Sequence, residues 1–407
     1  MANSLRTVFV FNLCALSFVQ CDQFSRNTYN VFDFGAAADG STDDTLAFED
    51  AWKAMCWSRA ASPTLYVPYG GTFLLHPVIF SGPCHSKTIN VKIDGELIAP
   101  RDPSKWKCKG NKCHQWIGFV NLNGLYISGS GTINAQGTQW WASFCNHKKQ
   151  GCGRKKPTGF AILYSKDVHI SDLTFMDSPQ MHITFERSKW VYATNLTITA
   201  PQHSPNTDGI HTQHSQYVFI AETHIATGDD CISIGDGSSY INISTITCGP
   251  GHGISIGSLG EKMKNETVEH VYVSDVDFRG TSNGARIKTW QGGRGFARNI
   301  VFERIRCFGS THPIIIDQYY CDHQHCTNHT SAVQVSNVRY SQIYGTSRED
   351  TAVKFACSES VPCRDIFMND INIQSADQHT SKAMSFCQNV QGRQNGEVSP
   401  GVPCLTN

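Results

Sequence analysis

The sequence predicts an all-β fold, a single right-handed parallel β-helix with a short N-terminal capping helix. Three observations predict it. An octet, apolar-x-apolar-x-x-apolar-x-apolar with a small polar or acidic residue near its middle, recurs along the chain. From Val168 onward its copies start 23 to 33 residues apart, which is solenoid spacing. Helical periodicity is missing from these segments, and alternation on both sides of the middle marks two short strands joined by a bend.

The copies are VHISDLTF from Val168, VYATNLTI from Val191, VFIAETHI from Val218, INISTITC from Ile241, VYVSDVDF from Val271 and IVFERIRC from Ile300. VQVSNVRY from Val333 and IFMNDINI from Ile366 follow, and LYISGSGTI from Leu125 precedes them with one extra residue. One-sided strands cannot bury themselves alone, whereas stacked units close a continuous core. Strands at the same phase of successive coils then run parallel. A sandwich or propeller would need tight Asn-Gly or Asp-Gly turns between consecutive strands, and few occur. An open solenoid end needs a cover. Ser41 to Trp57 supplies one: Ser41 and Asp44 form a capping box, and Phe48, Ala51, Trp52 and Met55 share one helical face.

Composition narrows the partners. Thirty-four acidic groups balance 34 basic ones in 407 residues, so no global field steers the chain to nucleic acid or an anionic membrane. A polyanion must meet a local cluster instead. Residues 1–21 read as a signal peptide, with Arg6 before the apolar run Val8 to Phe18 and small residues Val19 and Cys21 at the cut. The run is too short to span a bilayer. Residues 22–407 are therefore expected to form one secreted, soluble, monomeric β-helix domain. Cysteine usage agrees: of 17 in all, 15 follow Cys21, a density suited to disulfides in an oxidising compartment. Cys56 and Cys84 flank the first strand region, and Cys108/Cys113, Cys145/Cys152, Cys231/Cys248, Cys321/Cys326, Cys357/Cys363 and Cys387/Cys404 lie close in sequence, leaving Cys307 as the odd thiol. Sequons at Asn195, Asn242, Asn265 and Asn328 fit a secreted glycoprotein.

The charged residues recur at one phase of the coils. Asp208 precedes Gly209-Ile210-His211, Asp229 and Asp230 precede Cys231-Ile232-Ser233, His252 precedes Gly253-Ile254-Ser255, and Arg286 and Lys288 lie in Ala285-Arg286-Ile287-Lys288. Stacked coils lie about 4.8 Å apart, so these residues form a ladder on one outer face. Three neighbouring carboxylates cannot all ionise freely, and at least one pKa should rise. A raised carboxyl donates a proton while its ionised neighbours hold and deprotonate a water, the pair of functions glycoside hydrolysis needs. Arg286 and Lys288, two apart in a strand, point to one side and suit an acidic sugar's carboxylate. Gly228, Gly251 and Gly253 leave room for a substrate near the backbone.

Four blocks, SPNTDGIH from Ser204, TGDDCISIG from Thr227, CGPGHGISIGSLG from Cys248 and RIKTW from Arg286, resemble the signature blocks of polygalacturonases, the pectin-cleaving glycoside hydrolases. VFDFGAAADGSTDDT from Val31 and PIIIDQYYC from Pro313 are similar to further blocks, the latter typical of plant members, so the likeness runs from about Val31 to Cys404. The resemblance implies a right-handed parallel β-helix and metal-independent, cofactor-free inversion at the anomeric carbon of polygalacturonan. It implies Asp229 as general acid, Asp208 and Asp230 as the residues that position and activate water, and His252 as a tuner of the acid. It further implies Arg286 and Lys288 as galacturonate ligands, Tyr320 lining the same subsite, and Asn206 supporting the site by a hydrogen bond. One coil rise between Asp208 and Asp229/Asp230 is nearer the spacing of retaining enzymes; inversion follows from the resemblance alone.

Rival readings are a calcium-dependent pectate lyase, a rhamnogalacturonan hydrolase, and a non-catalytic wall-binding β-helix. Arg286-Ile-Lys288 favours a uronate beside the cut over rhamnogalacturonan. CDHQHC, Cys321 to Cys326, reads as a disulfide loop rather than a zinc site. The basic stretch Lys148 to Lys156 is a solvated loop or an attractor of anionic pectin, and Trp140 and Trp141 are core residues or sugar-stacking rings. Whether cutting is internal or end-wise depends on loops at the groove ends rather than on these motifs.

Overall fold

The structure, a computed structural model, describes residues 27–108, 113–142, 156–322, 326–377 and 382–406. The signal peptide, the Cys145/Cys152 pair and most of the basic stretch lie outside the described residues.

Two bends shape each coil. Pairs of non-glycine residues with positive φ recur five positions apart: Asp167/Asp172, Trp190/Asn195, Tyr217/Glu222, Tyr240/Thr245, His270/Asp275, Asn299/Arg304, Asn337/Gln342 and Asp365/Asp370. The left-handed conformation costs about 1 kcal/mol or more per residue, and stacking offsets it. The rings of Trp190, Tyr217, Tyr240 and His270 lie face to face, with centroids 4.1, 4.8 and 4.7 Å apart. The second bend of each pair is the octet's middle. One copy is out of phase: Val338, not Val333, pairs with Ile300 and Ile366, so the aligned copy is Val338 to Gly345. The apolar pattern occurs twice in overlap there because both bends are flanked by alternating residues.

Stacking produces a 19-stranded and an 11-stranded sheet. Every pairing in the 11-stranded sheet is parallel, and the fold is a right-handed parallel β-helix. Its inward columns are apolar. Ile183, Ile210, Ile232, Ile254, Ala285, Ile314 and Val353 succeed one another in register, each fully buried. Each such branched chain contributes roughly 1.5–3 kcal/mol by leaving water.

The capping helix spans Thr45–Cys56 and buries Phe48, Ala51, Trp52 and Met55 on the predicted face. Its start differs from the expected capping box. Ser41 lies in the strand Asp39–Asp43, and the Asp44 carboxylate accepts from the Ala37 and Ala38 N–H groups at 2.6 and 3.2 Å instead of capping the helix. Asp43 accepts from Thr45 N at 3.1 Å. The chain turns three residues later than predicted because these acids tie the preceding loop. Disulfides join Cys56–Cys84, Cys108–Cys113, Cys231–Cys248, Cys321–Cys326, Cys357–Cys363 and Cys387–Cys404, and Cys307 is free and buried. Trp140 is buried against Trp106, with centroids 5.1 Å apart. No helix among the described residues is long and apolar enough to cross a membrane.

Candidate active site

Outward residues of the short-strand sheet build the site. His211, Ser233, Ser255 and Arg286 succeed one another in register on the strands Ile210–Gln213, Ile232–Ile234, Ile254–Leu259 and Asn283–Thr289. The acids sit on the turns that lead into these strands. Turn and strand thus bring Asp208, Asp229, Asp230, His252, Arg286 and Lys288 together.

Asp230 is the centre of charge. It is 1% exposed. Arg286 Nη2 donates to its Oδ1, Ser255 Oγ donates to the same oxygen at 2.8 Å, and Lys288 Nζ donates to Oδ2 at 2.9 Å. Burial opposes its charge, but Arg286 and Lys288 outweigh that and hold its carboxyl well below the usual range. Two cations face one carboxylate, so the cluster keeps a formal positive charge for an anionic ligand. Tyr320 lies against it, its ring centroid 5.2 Å from Lys288 Nζ and 5.2 Å from the Trp290 ring.

Asp208 has the opposite setting. It is buried, and Ser233 Oγ donates to its Oδ2 at 2.6 Å. Having spent its proton there, Ser233 accepts from His211 Nδ1 at 2.8 Å. Burial, then the charges of Asp229 and Asp230, push Asp208 up to about 8. The carboxyl raised in the free protein is therefore Asp208. Asp229 is the more open acid, its side chain 19% exposed. Its Oδ1 accepts from Asp230 N at 2.8 Å and meets His252 Nδ1 at 3.2 Å, and that hydrogen bond raises the imidazole's pKa.

Sequence reasoning missed His211, Ser233 and Ser255. Alternation marks all three as outward-facing, but small polar strand residues are ordinary, and only stacking places each serine between a donor and an acid. Asn206 departs from expectation: it is exposed, in the left-handed region at φ 59°, and its side chain joins none of the site's hydrogen bonds. Thr207 takes the supporting place, its Oγ1 accepting from Gly228 N at 3.1 Å and meeting Ser204 Oγ at 2.6 Å. The glycines also serve differently. A Cβ on Gly228 would stand 2.1 Å from Ser204 O, and one on Gly253 2.3 Å from Asn283 O, so their small size lets adjacent turns pack.

Asp229, Asp230 and His252 bring ligand atoms within 4.8 Å of one another, a spacing that suits a metal ion. Both Asp230 oxygens are already engaged by cationic side chains. A divalent ion would have to displace them or sit against their charge, so the donor set does not fit one.

Comparison with known proteins agrees with this geometry. The polygalacturonase of Persea americana is 47% identical over 345 residues, covering 84% of this chain and 73% of its own. That of Prunus persica is 42% identical over 410 residues, covering both chains fully. Among solved structures, an exopolygalacturonase from Thermotoga maritima superposes with a TM-score of 0.75 at 20% identity over 92% of each chain. A polygalacturonase from Erwinia carotovora does so with 0.71 at 22%, over 88% of this chain and 94% of its own; these two show the shared fold. The profile of glycosyl hydrolases family 28 matches residues 56–399, a span that contains the whole acid and cation cluster, and the chain belongs to that family.

Proposed function

We propose that this protein is a polygalacturonase, secreted after loss of residues 1–21, that hydrolyses α-1,4-galacturonosidic bonds of pectin without a metal and with inversion. The observation that carries the reading is Asp230 clamped by Arg286 and Lys288 beside the Asp229–His252 pair and buried Asp208. A galacturonate carboxylate binds the surplus positive charge, with Tyr320 flanking it. The charges of Asp229 and Asp230 both act on Asp208. The proton the three acids share rests on Asp208 in the free protein. In the complex with substrate this proton is passed to Asp229, the most open of the three acids. Asp229 then donates it to the glycosidic oxygen as the bond from C1 breaks. Water held by Asp208 and Asp230 attacks C1 from the opposite face and gives its proton to that pair. Clamping of Asp230 by two cations weighs against the calcium-dependent lyase, whose metal needs free carboxylates.

Digestion of polygalacturonic acid in a chelator tests the reading. New reducing ends without an ultraviolet-absorbing unsaturated product are expected, with the β-anomer formed first by NMR. A chelator-sensitive unsaturated product would replace hydrolysis by elimination. Sizing the same products separates modes: oligomers mark internal cuts, monomer from the start end-wise ones.

Stability should have a defined pH shape. Between about 4 and 6.5 Asp208 keeps a proton the unfolded chain loses, which lowers stability as pH rises. In that window His182 and His211, held neutral by burial down to about 4, act oppositely and outnumber it. Above about 6.5 the histidines of the unfolded chain are neutral, and Asp208 and His252, both raised, lose their protons. The melting temperature of the free protein is expected to peak near neutrality's acid side and fall toward pH 8. A melting temperature that climbs from pH 6.5 to 8 contradicts this assignment.

A further inference from the structure

We propose that Lys354 forms a second carboxylate subsite, for a galacturonate about two rings beyond the one at Arg286 and Lys288. The inference rests on the polygalacturonase reading and specifies how the chain is held. Ile315, Lys354 and Phe386 continue the outward column past Arg286, in register coil by coil. Lys354 is therefore two coils, about 9.6 Å, from Arg286 along the axis. A 1,4-linked sugar ring is comparable in length to one coil rise, and every ring of polygalacturonan carries a carboxylate.

The side chain is available. Lys354 is half-buried and makes neither an ion pair nor a hydrogen bond with any described residue, whereas Arg286 and Lys288 are tied to Asp230. An ammonium with no ion pair on this face is free to meet an anionic ligand. The floor suits sugar as well. Ile315 between the cations is apolar and buried, and Phe386 is 44% exposed just beyond Lys354. An exposed aromatic ring of this kind packs against the C–H face of a pyranose. In the other direction from His211 the column continues as Thr184, Ala161 and Gly118, none of them charged. This outward column thus carries cations on one side of the cut and no charge on the other.

The test compares substrate lengths. For Lys354→Met, which keeps the stem, and Lys354→Glu, kcat/KM is measured on oligogalacturonates of increasing length and on polygalacturonic acid. The ratio of kcat/KM for long over short substrates is expected to fall roughly fivefold for Lys354→Met and further for Lys354→Glu. Lys354→Arg should retain the ratio, and end-labelled oligomers should be cut at shifted positions by Lys354→Met. Lys189→Met, an exposed lysine of the other sheet, controls for general charge. A Lys354→Met ratio equal to that of the unsubstituted protein, or equal to that of Lys189→Met, overturns the subsite. If the unsubstituted protein releases no reducing ends at all, the polygalacturonase reading itself fails, a different result from either.

Discussion

Asp229→Asn is expected to lower kcat on polygalacturonic acid by about 10³–10⁴-fold, the upper part of the range for general-acid catalysis, with KM changed less than about threefold. The substitution is nearly isosteric. Its Oδ1 still accepts from Asp230 N and still meets His252, so the turn keeps its shape and Arg286 and Lys288 still face the substrate. What disappears is the transferable proton at the most open acid of the three. Loss of one negative charge beside Asp208 also removes part of what holds that carboxyl near 8, so the residual activity should titrate at lower pH. Equal melting temperatures would show that folding is intact. A kcat within tenfold of the unsubstituted protein would mean that Asp208 or Asp230 supplies the proton, and the roles given above would have to be exchanged.

Arg286→Met should damage both folding and turnover, and the two effects can be separated. Asp230 is almost fully buried with two cations on it. Removing one partner of a buried ion pair costs about 3–5 kcal/mol, because the other charge is left uncompensated. Here Lys288 and Ser255 remain, so the cost is expected near the lower end, about 3 kcal/mol. Denaturant unfolding measures it. The Asp230→Asn/Arg286→Met/Lys288→Met triple variant should regain most of that stability, since no buried charge of the clamp then lacks its partner. Its activity should stay at least a hundredfold down, about 3 kcal/mol of transition-state stabilisation. If the single variant is as stable as the unsubstituted protein, the clamp on Asp230 is not what the geometry indicates. If the triple variant regains activity with stability, the cluster is a structural ion pair and not a substrate site.

Much of this site was legible before any fold was known. Asp208, Asp229, Asp230, His252, Arg286 and Lys288 each stand at a turn or outward position next to an Ile-rich strand, and the repeat places those positions in one column. The inward columns were equally plain, because alternation is local. Errors arose where local pattern admitted two answers. The octet at Val333 was out of phase since each coil has two bends, at Asn337 and Gln342, with the same apolar flanks. The helix start was misplaced since Asp44 serves a neighbouring loop rather than its own helix. Asn206 carries the right chemistry for support, yet it is exposed and joins none of the site's hydrogen bonds, and Thr207 bonds Gly228 and Ser204 there.

By itself the sequence determined the coil, the sheet face and the family likeness, since each follows from residue type and spacing along one strand. Which acid holds the proton was decided only by tertiary structure. Asp208 and Asp230 are both buried aspartates one coil apart, and nothing in their flanking residues separates them. Stacking bonds two cations to Asp230 from a coil 56 to 58 residues later, whereas Asp208 is bonded by the Ser233 hydroxyl and feels two carboxylates more strongly than it feels Lys288. Charge acts through space over a few ångströms, so the same side chain becomes a fixed anion in one coil and a proton reservoir in the next.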